Sequence, residues 1–238
     1  MQRVRGELHV GVRAICRLLA FLSECGLLAD GRVAPSPLEH LLYVTIAGQS
    51  VISRFGVNVA SGSVEKEPGP RELLYPTSFL NVSGLADPRD LRDIVLDPVD
   101  PMRLFALVRG FQQSVAFLQR DPSVPGNAYL VDAVRVGAGP SKLSYLTLGG
   151  RGYLLVGCYD ARAIFIIDTA ERALVAMVRN LSGPYEMVFD GARNLLHVAD
   201  FRTSVLRVVD LSWLADKRMP PPRIIATLGT PRFEGGLE

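Results

Sequence analysis

The hydrophobic positions of this chain fall in short runs rather than in a helical period. In residues 195–210, for example, two apolar-rich runs at 195–199 and 205–209 are separated by a mostly polar segment. The runs are rich in β-branched residues, and Gly, Pro, Asp and Asn stand between them, as is typical of strands joined by tight turns. Because no helical period competes with this pattern over residues 30–230, we predict an all-β structure there.

The pattern recurs along the chain as an internal repeat. Each of four copies has a valine in one strand and, seven residues later, a valine or alanine in the next strand. The pairs are Val44 with Val51, Val108 with Val115, Val156 with Ala163, and Val198 with Val205. The copies are 64, 48 and 42 residues apart, which indicates a unit of about 42 residues with insertions, the largest around residues 65–88. Further apolar runs flank each pair and complete an antiparallel meander of four strands.

Four-stranded units of this length are typical of the blades of a β-propeller, because one such sheet cannot bury both apolar faces without neighbours. The chain resembles the YVTN-type β-propeller repeat: Tyr43-Val44-Thr45 matches the first three letters of that motif, with Ile46 in place of asparagine, and Asp168 and Asp210 match its closing aspartate. That group includes lactonases and surface lipoproteins, so the resemblance predicts the fold rather than one function.

The repeats predict a propeller domain over residues 30–230, with about four blades and a C-terminal tail at 231–238. The blades are expected at about 30–85, 86–138, 139–182 and 183–230. Members of the group usually close a ring of about seven blades, and closure protects the edge strands of the first and last blade. The sequence therefore leaves open a small closed ring, part of a larger propeller, or the assembly of two chains.

Residues 1–29 carry a different, signal-like or helical pattern. Arginines precede a short apolar patch at residues 18–22, and Cys25 follows it, which resembles a bacterial lipoprotein signal with Cys25 as the lipidated residue. Glu24 stands where that signal has a small residue, and Arg17 shortens the apolar region, so a short amphipathic helix is the alternative. The signal would place the protein in the cell envelope, in the periplasm or outside the cell; without it the protein is expected in the cytoplasm.

Composition excludes several classes of function. The formal charge of +2 argues against a nucleic-acid partner, and 48% hydrophobic with 21% charged residues indicates a folded chain. The longest hydrophobic run has six residues, 173–178, so no transmembrane span is expected. Three cysteines and three histidines, without metal-ligand spacing, predict no disulfide scaffold and no metal site, and no cofactor is expected.

Three ionisable residues hold one equivalent position in successive units. Asp93, Lys142 and Glu186 stand directly before an apolar residue at the start of the first strand of each unit. Because the first strands of propeller blades line the central channel, these residues are predicted to converge and to bind a polar ligand or an ion. The alternative is that they face water and pair with one another for structural reasons only.

Other conspicuous residues are predicted to be structural. Tyr159, Phe201 and Phe111 stand in register and are expected to pack between blades. His197 takes a strand position that is mostly apolar in the other copies, so we predict a packed histidine rather than a catalytic one. Cys158 has no histidine near it in sequence and is predicted to be a buried, inert thiol.

The aspartates of the repeats fall into two groups. Asp168 and Asp210 close a strand and are predicted to accept hydrogen bonds from backbone N–H groups of the following turn. Asp160 and Asp200 are each followed two residues later by an arginine. These pairs are predicted to be solvated surface pairs of little energetic value.

The functional prediction combines this scaffold with the motifs that the sequence lacks. Nucleophile-elbow, phosphate-loop, dinucleotide-binding, zinc-protease and EF-hand patterns do not occur in it. We therefore expect a non-enzymatic propeller that presents loops to a protein or small-molecule partner, with a lipid anchor and self-assembly as further expectations. The alternative, implied by the resemblance, is a lactonase-like hydrolase that uses Asp93 or Glu186 at the channel to activate water.

Overall fold

The computed structural model describes residues 40–45, 51–58, 63–66, 72–74, 91–100, 102–110, 112–120 and 128–231. The chain divides into two compact units, one of residues 1–43 and 54–71 and one of residues 44–53 and 72–238. The predictions for residues 1–29, including the lipidation of Cys25, lie outside the described residues, as does all but the first residue of the tail at 231–238.

One sheet is formed by the strands that lie before residue 75. They are β1 (His40–Thr45), β2 (Val51–Asn58), β3 (Ser63–Lys66) and β4 (Glu72–Leu74). The strand order is β1-β2-β3, and β4 also pairs with β2. The valine pair of the first repeat copy, Val44 and Val51, lies on β1 and β2, which are therefore the second and third strands of the repeat.

The second unit contains three further sheets, each an antiparallel meander of four strands in chain order. The second sheet comprises β5 (Leu91–Leu96), β6 (Arg103–Val108), β7 (Ser114–Arg120) and β8 (Ala128–Arg135). The third comprises β9 (Pro140–Leu148), β10 (Arg151–Cys158), β11 (Ala163–Asp168) and β12 (Ala173–Val178). The fourth comprises β13 (Pro184–Asp190), β14 (Leu195–Asp200), β15 (Val205–Asp210) and β16 (Arg223–Leu228).

The prediction of an all-β structure with four-stranded antiparallel units is confirmed for the described residues by the second, third and fourth sheets, whereas in the first sheet both β3 and β4 pair with β2. Among the described residues, the helical elements are a 3₁₀ turn at Phe201–Thr203 and the short helix α1 (Ser212–Ala215). Within the same residues, no helix is long and apolar enough to cross a membrane.

The middle strands of each meander carry the apolar core. In β10, Leu154, Leu155 and Val156 are fully buried in succession, so both faces of that strand are covered. A continuous apolar run suits a strand whose sheet packs between two neighbours. This burial explains why the repeat is clearest in the second and third strands of each copy.

Two hydrophobic clusters join the sheets of the second unit. In the cluster shared by the second and third sheets, Phe105 makes an edge-on contact with Phe117 at 5.1 Å between ring centroids and stacks on Tyr145 at 6.0 Å. The cluster shared by the third and fourth sheets includes Tyr153 and Leu196, both almost fully buried. Successive sheets are therefore held together by apolar side chains from facing surfaces.

The turns that follow the strands are held by the aspartates that close them. Asp168 Oδ1 accepts hydrogen bonds from the backbone N–H groups of Ala170 at 2.9 Å and Glu171 at 3.0 Å. Asp210 Oδ1 accepts one from Ser212 N–H at 2.9 Å, and this bond is the main reason that the pKa of Asp210 lies below its ordinary value. The predicted role of Asp168 and Asp210 is confirmed.

Candidate functional site

The first strands of the three meanders begin with the same irregularity. In each sheet the pairing register of the first strand with the second shifts just before the ionisable residue of the repeat. The shifts lie between Leu91 and Asp93, between Pro140 and Lys142, and between Pro184 and Glu186. Each shift is a β-bulge, which bends the strand and redirects the side chains next to it.

The structure brings the three ionisable residues together in what we call the charged cluster, Asp93, Lys142 and Glu186. Lys142 Nζ lies 3.6 Å from Asp93 Oδ2 and 3.7 Å from Glu186 Oε1. Asp93 Oδ2 also accepts a hydrogen bond from the backbone N–H of Leu143 at 2.9 Å, and its Oδ1 accepts one from Ile94 N–H at 3.0 Å. The Asp93 carboxylate therefore links the second sheet to the third. A role of the charged cluster in ligand binding stays a prediction.

Burial and mutual pairing act in opposite directions on the carboxylate of Asp93 in the charged cluster. Burial raises the pKa of Asp93 above its ordinary value, although the ammonium of Lys142 and the two N–H donors act in the opposite direction. The side chains of Asp93, Lys142 and Glu186 remain 22%, 33% and 46% exposed, so each ion pair is partly solvated and contributes about 1 kcal/mol or less. Within the described part of the chain, no group of three His, Cys, Asp or Glu side chains is arranged to hold a metal ion.

A pocket of about 320 Å³ lies at the end of the three sheets that carries the charged cluster. Its volume is near the lower limit for small-molecule sites. We call it the aromatic pocket. It is lined by Arg109, Gly139, Ser141, Tyr159, Tyr185 and Phe201. Ser141 and Tyr185 directly precede Lys142 and Glu186 in sequence, so the aromatic pocket and the charged cluster share strands β9 and β13.

Three aromatic rings form the wall of the aromatic pocket. The ring centroid of Phe201 lies 6.3 Å from that of Tyr159 and 5.9 Å from that of Tyr185. Tyr185 and Phe201 are 51% and 52% exposed. Tyr159 and Phe201 contact each other across the third and fourth sheets, as expected of aromatic residues that pack between blades. Phe201 nevertheless lies in a 3₁₀ turn beyond the end of β14 and is half exposed, so its packing is incomplete. Phe111 lies outside the described residues.

The Tyr159 ring is held in place from two directions. The guanidinium carbon of Arg202 lies 4.7 Å from the ring centroid, and Arg202 Nη2 pairs with Asp160 Oδ1 at 3.5 Å. A Cβ atom on Gly183 would lie 2.7 Å from Tyr159 Cε2, so the ring occupies space that only a glycine leaves free. The aromatic pocket is thus largely preformed on this side.

Asp200 departs from its predicted role as a solvated surface residue. Its side chain is fully buried and accepts hydrogen bonds from Ser182 N–H at 2.9 Å and Gly183 N–H at 2.6 Å. Its Oδ2 also pairs with Arg207 Nε at 3.2 Å. The prediction was wrong because Asp200 ends β14 and turns back towards the loop that enters β13. Asp160 is half exposed as predicted, but its arginine partner belongs to the next repeat copy, Arg202.

Besides the two tyrosines, Ser141 and Arg109 line the aromatic pocket with polar side chains, and they differ in what they can offer a ligand. The Ser141 hydroxyl lies 3.1 Å from the carbonyl oxygen of Gly157 and 3.3 Å from that of Pro184, so its proton is used within the protein. Arg109 follows β6 and is partly buried. Among the residues that the structure describes, no acidic side chain forms an ion pair with Arg109.

Cys158 and His197 lie in the strands and do not line the aromatic pocket. Cys158 is a free, fully buried thiol, which confirms its predicted burial. Burial raises its pKa to about 12, which favours an unreactive thiol at neutral pH. His197 is partly buried in β14, where it lies opposite Val188 in β13 and Val208 in β15. Because Val188 is largely exposed, a packed role for His197 stays a prediction.

Sequence reasoning missed Arg109, Ser141 and Tyr185. Ser141 and Tyr185 occupy the bulge position directly before the ionisable residue in two copies, and a comparison of the copies at that position would have found both. Arg109 directly follows the repeat valine at 108, which is also an aligned position. The pocket itself was not predictable from these letters, because a bulge determines where the side chains point.

Comparison with known proteins identifies the fold. No protein-family model matches the chain, and no curated protein matches it. Among solved structures, the chain is similar to a periplasmic gluconolactonase of Pseudomonas aeruginosa, with a TM-score of 0.58 and 15% identity over 84% of this chain and 54% of that one. It is also similar to the WD40 domain of coronin from Toxoplasma gondii, with a TM-score of 0.53 and 14% identity over 81% of this chain and 44% of that one.

A third similar structure is a dihydro-heme d1 dehydrogenase, with a TM-score of 0.55 and 14% identity over 82% of this chain and 36% of that one. The chain therefore spans between 36% and 54% of the length of these three proteins. At such identities the likeness concerns the fold alone. Together with the meanders of the second unit, it shows that this chain has a β-propeller fold.

Proposed function

We propose that this protein is a non-enzymatic β-propeller that binds a partner at the end of its sheets where the aromatic pocket lies. The observation that carries the proposal is the position of Lys142 between Asp93 and Glu186. The two carboxylates that sequence reasoning offered for catalysis are paired with one ammonium group. The half-exposed rings of Tyr185 and Phe201 beside them are left available for a partner.

The hydrogen bonds of Asp93 support a structural role for this acid. A general base needs a carboxylate oxygen that can reach the proton of a substrate or of a water molecule. Asp93 Oδ2 is engaged by Lys142 and by Leu143 N–H, and Oδ1 is engaged by Ile94 N–H. Tyrosine and phenylalanine, in contrast, are enriched where proteins bind partners.

A lactonase-like hydrolase is the second candidate. The raised pKa of Asp93 favours it, because general acids and bases are often shifted towards neutral pH by burial. One of the similar structures is a gluconolactonase, although that likeness extends to the fold only. In this alternative, Asp93 or Glu186 would activate the attacking water.

Hydrolysis of glucono-1,5-lactone, with and without added divalent metal ions, separates the two candidates. The wild-type chain would be compared with Asp93→Asn and Glu186→Gln, and with Asp190→Asn as a control that removes an aspartate outside the charged cluster. We expect no rate above spontaneous hydrolysis for any of the four proteins. The proposal would be overturned in favour of the hydrolase if wild type and Asp190→Asn hydrolyse the lactone and Asp93→Asn or Glu186→Gln does not.

We propose in addition that the protein belongs to the YVTN-type group and lies in the cell envelope. Membership of the YVTN-type group is supported by Tyr43-Val44-Thr45, which lies on strand β1 as the motif requires. Location in the cell envelope is supported by the signal-like residues 1–29 and by a similar structure that is periplasmic. Membrane fractionation of Cys25→Ala beside a Cys16→Ala control tests the lipid anchor: only the Cys25 variant is expected to leave the membrane fraction.

Self-assembly to complete a ring belongs to the same proposal. It is tested by the absolute mass of the full chain in solution, measured by light scattering after size exclusion. A multiple of the chain mass of 25.9 kDa supports it, and a monomer mass contradicts it.

A further inference from the structure

We infer that the aromatic pocket binds a small carboxylate with a flat, apolar body, whose anionic group is held by Arg109. This inference rests on the proposed binding function and names the class of ligand. It joins three observations: a wall of three aromatic rings in which Tyr159 is held in place, a guanidinium in the lining without an acidic partner among the described residues, and a volume suited to a small molecule.

The wall of the aromatic pocket selects for a flat apolar body. Phe201 stands between Tyr159 and Tyr185, with its ring plane tilted by 56° to the first and 44° to the second. Tilted rings at these centroid distances present both faces and edges, which accept a planar ring in stacked or edge-on contact. Since Arg202 and Gly183 hold Tyr159 in place, little of its side-chain freedom remains to be lost when a ligand binds.

The polar groups in the lining select for an anion. Ser141 uses its proton on the carbonyl groups of Gly157 and Pro184, so the remaining side-chain donor in the lining with charge to offer is Arg109. A guanidinium binds a carboxylate through two parallel hydrogen bonds. Arg202 is less available, because it already pairs with Asp160.

The charges around the aromatic pocket favour a single negative charge over two. The charged cluster at this end of the sheets combines two carboxylates with one ammonium and therefore carries one excess negative charge when all three groups are ionised. The Asp160–Arg202 pair is neutral overall. Because one positive charge on Arg109 lies near this excess negative charge, a monoanionic carboxylate is repelled less than a dianionic phosphate.

Isothermal titration of the full chain tests the inference with three probes. Indole-3-acetate has both the flat body and the carboxylate, indole-3-acetamide has the same body without the charge, and acetate has the charge without the body. The variants are Arg109→Gln and Tyr185→Ala, with Arg193→Gln as the matched control, because Arg193 pairs with Asp190 outside the pocket lining. The emission of Trp213, the one tryptophan of the chain, and the far-ultraviolet circular dichroism confirm that each variant is folded.

We expect wild type to bind indole-3-acetate roughly tenfold or more tightly than indole-3-acetamide, because a hydrogen bond to a charged group contributes a difference of that size. Acetate is expected to bind too weakly to measure. Arg109→Gln removes the preference for the acid, Tyr185→Ala weakens the binding of both indole compounds, and Arg193→Gln behaves as wild type.

Three results would overturn the inference: no binding of indole-3-acetate up to about 10 mM, equal affinities for acid and amide, or an unchanged preference in Arg109→Gln. Any of them would remove this class of ligand without deciding whether the protein is an enzyme. The lactone assay alone decides that question, so the two failures can be told apart.

Discussion

Replacing Asp200 with alanine removes the acceptor that connects β14, β15 and the loop entering β13. The fully buried carboxylate accepts hydrogen bonds from the N–H groups of Ser182 and Gly183 and pairs with the guanidinium of Arg207. Because Gly183 also contacts the ring of Tyr159, the same carboxylate positions one wall of the aromatic pocket. The variant is therefore expected to lose stability and to loosen the pocket.

The magnitude follows from the groups that alanine leaves without a partner. Removing one member of a buried ion pair costs about 3–5 kcal/mol, and a buried N–H group without an acceptor costs about 1–3 kcal/mol. The costs overlap, because Arg207 is 18% exposed and Arg207 Nη1 keeps its hydrogen bond to Thr227 Oγ1 at 2.6 Å. We therefore expect Asp200→Ala to lower the free energy of unfolding by about 3–5 kcal/mol.

Chemical denaturation followed by the fluorescence of Trp213 measures this loss. Trp213 packs against the cluster shared by the third and fourth sheets, so its emission reports their separation. The matched control is Asp160→Ala, whose side chain is 49% exposed and pairs with Arg202, and a loss of less than about 1 kcal/mol is expected for it. Equal losses in the two variants, or a loss below about 1 kcal/mol for Asp200→Ala, would refute the assignment of Asp200 as a buried structural acid.

Three further predictions concern packing, thiol reactivity and pH. Gly183→Val should displace the Tyr159 ring and weaken the binding of indole-3-acetate in calorimetry, and unchanged affinity would contradict the contact. In a variant without the other two cysteines, Cys158 should react with iodoacetamide at neutral pH only after denaturant is added, because burial raises its pKa to about 12. Fast labelling of the folded chain would argue against this burial. Asp93 has a raised pKa in the folded chain, so its protonation favours folding below the ordinary value of 3.8, and this contribution is lost as the pH rises through the folded pKa. We therefore expect the denaturation midpoint of wild type to fall relative to that of Asp93→Asn as the pH rises from about 3 to 7. A difference between the two midpoints that stays constant, or that grows in favour of wild type, would be inconsistent with a raised pKa of Asp93.

The fold was predictable because the repeat pattern and the core have the same physical cause. Val108, Val156 and Val198 recur because each lies on the second strand of a meander and is buried there. A sheet that packs between neighbours needs such apolar strands in every copy, so the requirement is visible in the letters. The turn aspartates Asp168 and Asp210 were predictable for a similar reason, since their hydrogen bonds are local.

The site was predictable only in part. The convergence of Asp93, Lys142 and Glu186 could be foreseen because equivalent positions of successive sheets lie at the same end. The burial of Asp200 could not, since its partners lie in the loop before β13 and in β15, and their approach depends on tertiary packing. The exposure of Phe201 depends on a 3₁₀ turn that has no clear signal in the sequence.

The most direct test of the account is a charge-reversal cycle between Lys142 and Glu186. The free energy of unfolding would be measured for wild type, Lys142→Glu, Glu186→Lys and the double variant, at low and at high salt. If the repeats bring these positions together as paired charges, the double variant recovers stability beyond the sum of the single changes, by about 1 kcal/mol, and the recovery shrinks at high salt. Strict additivity at low salt would mean that the two positions do not meet, and would contradict the arrangement of the third and fourth sheets on which the proposed function depends.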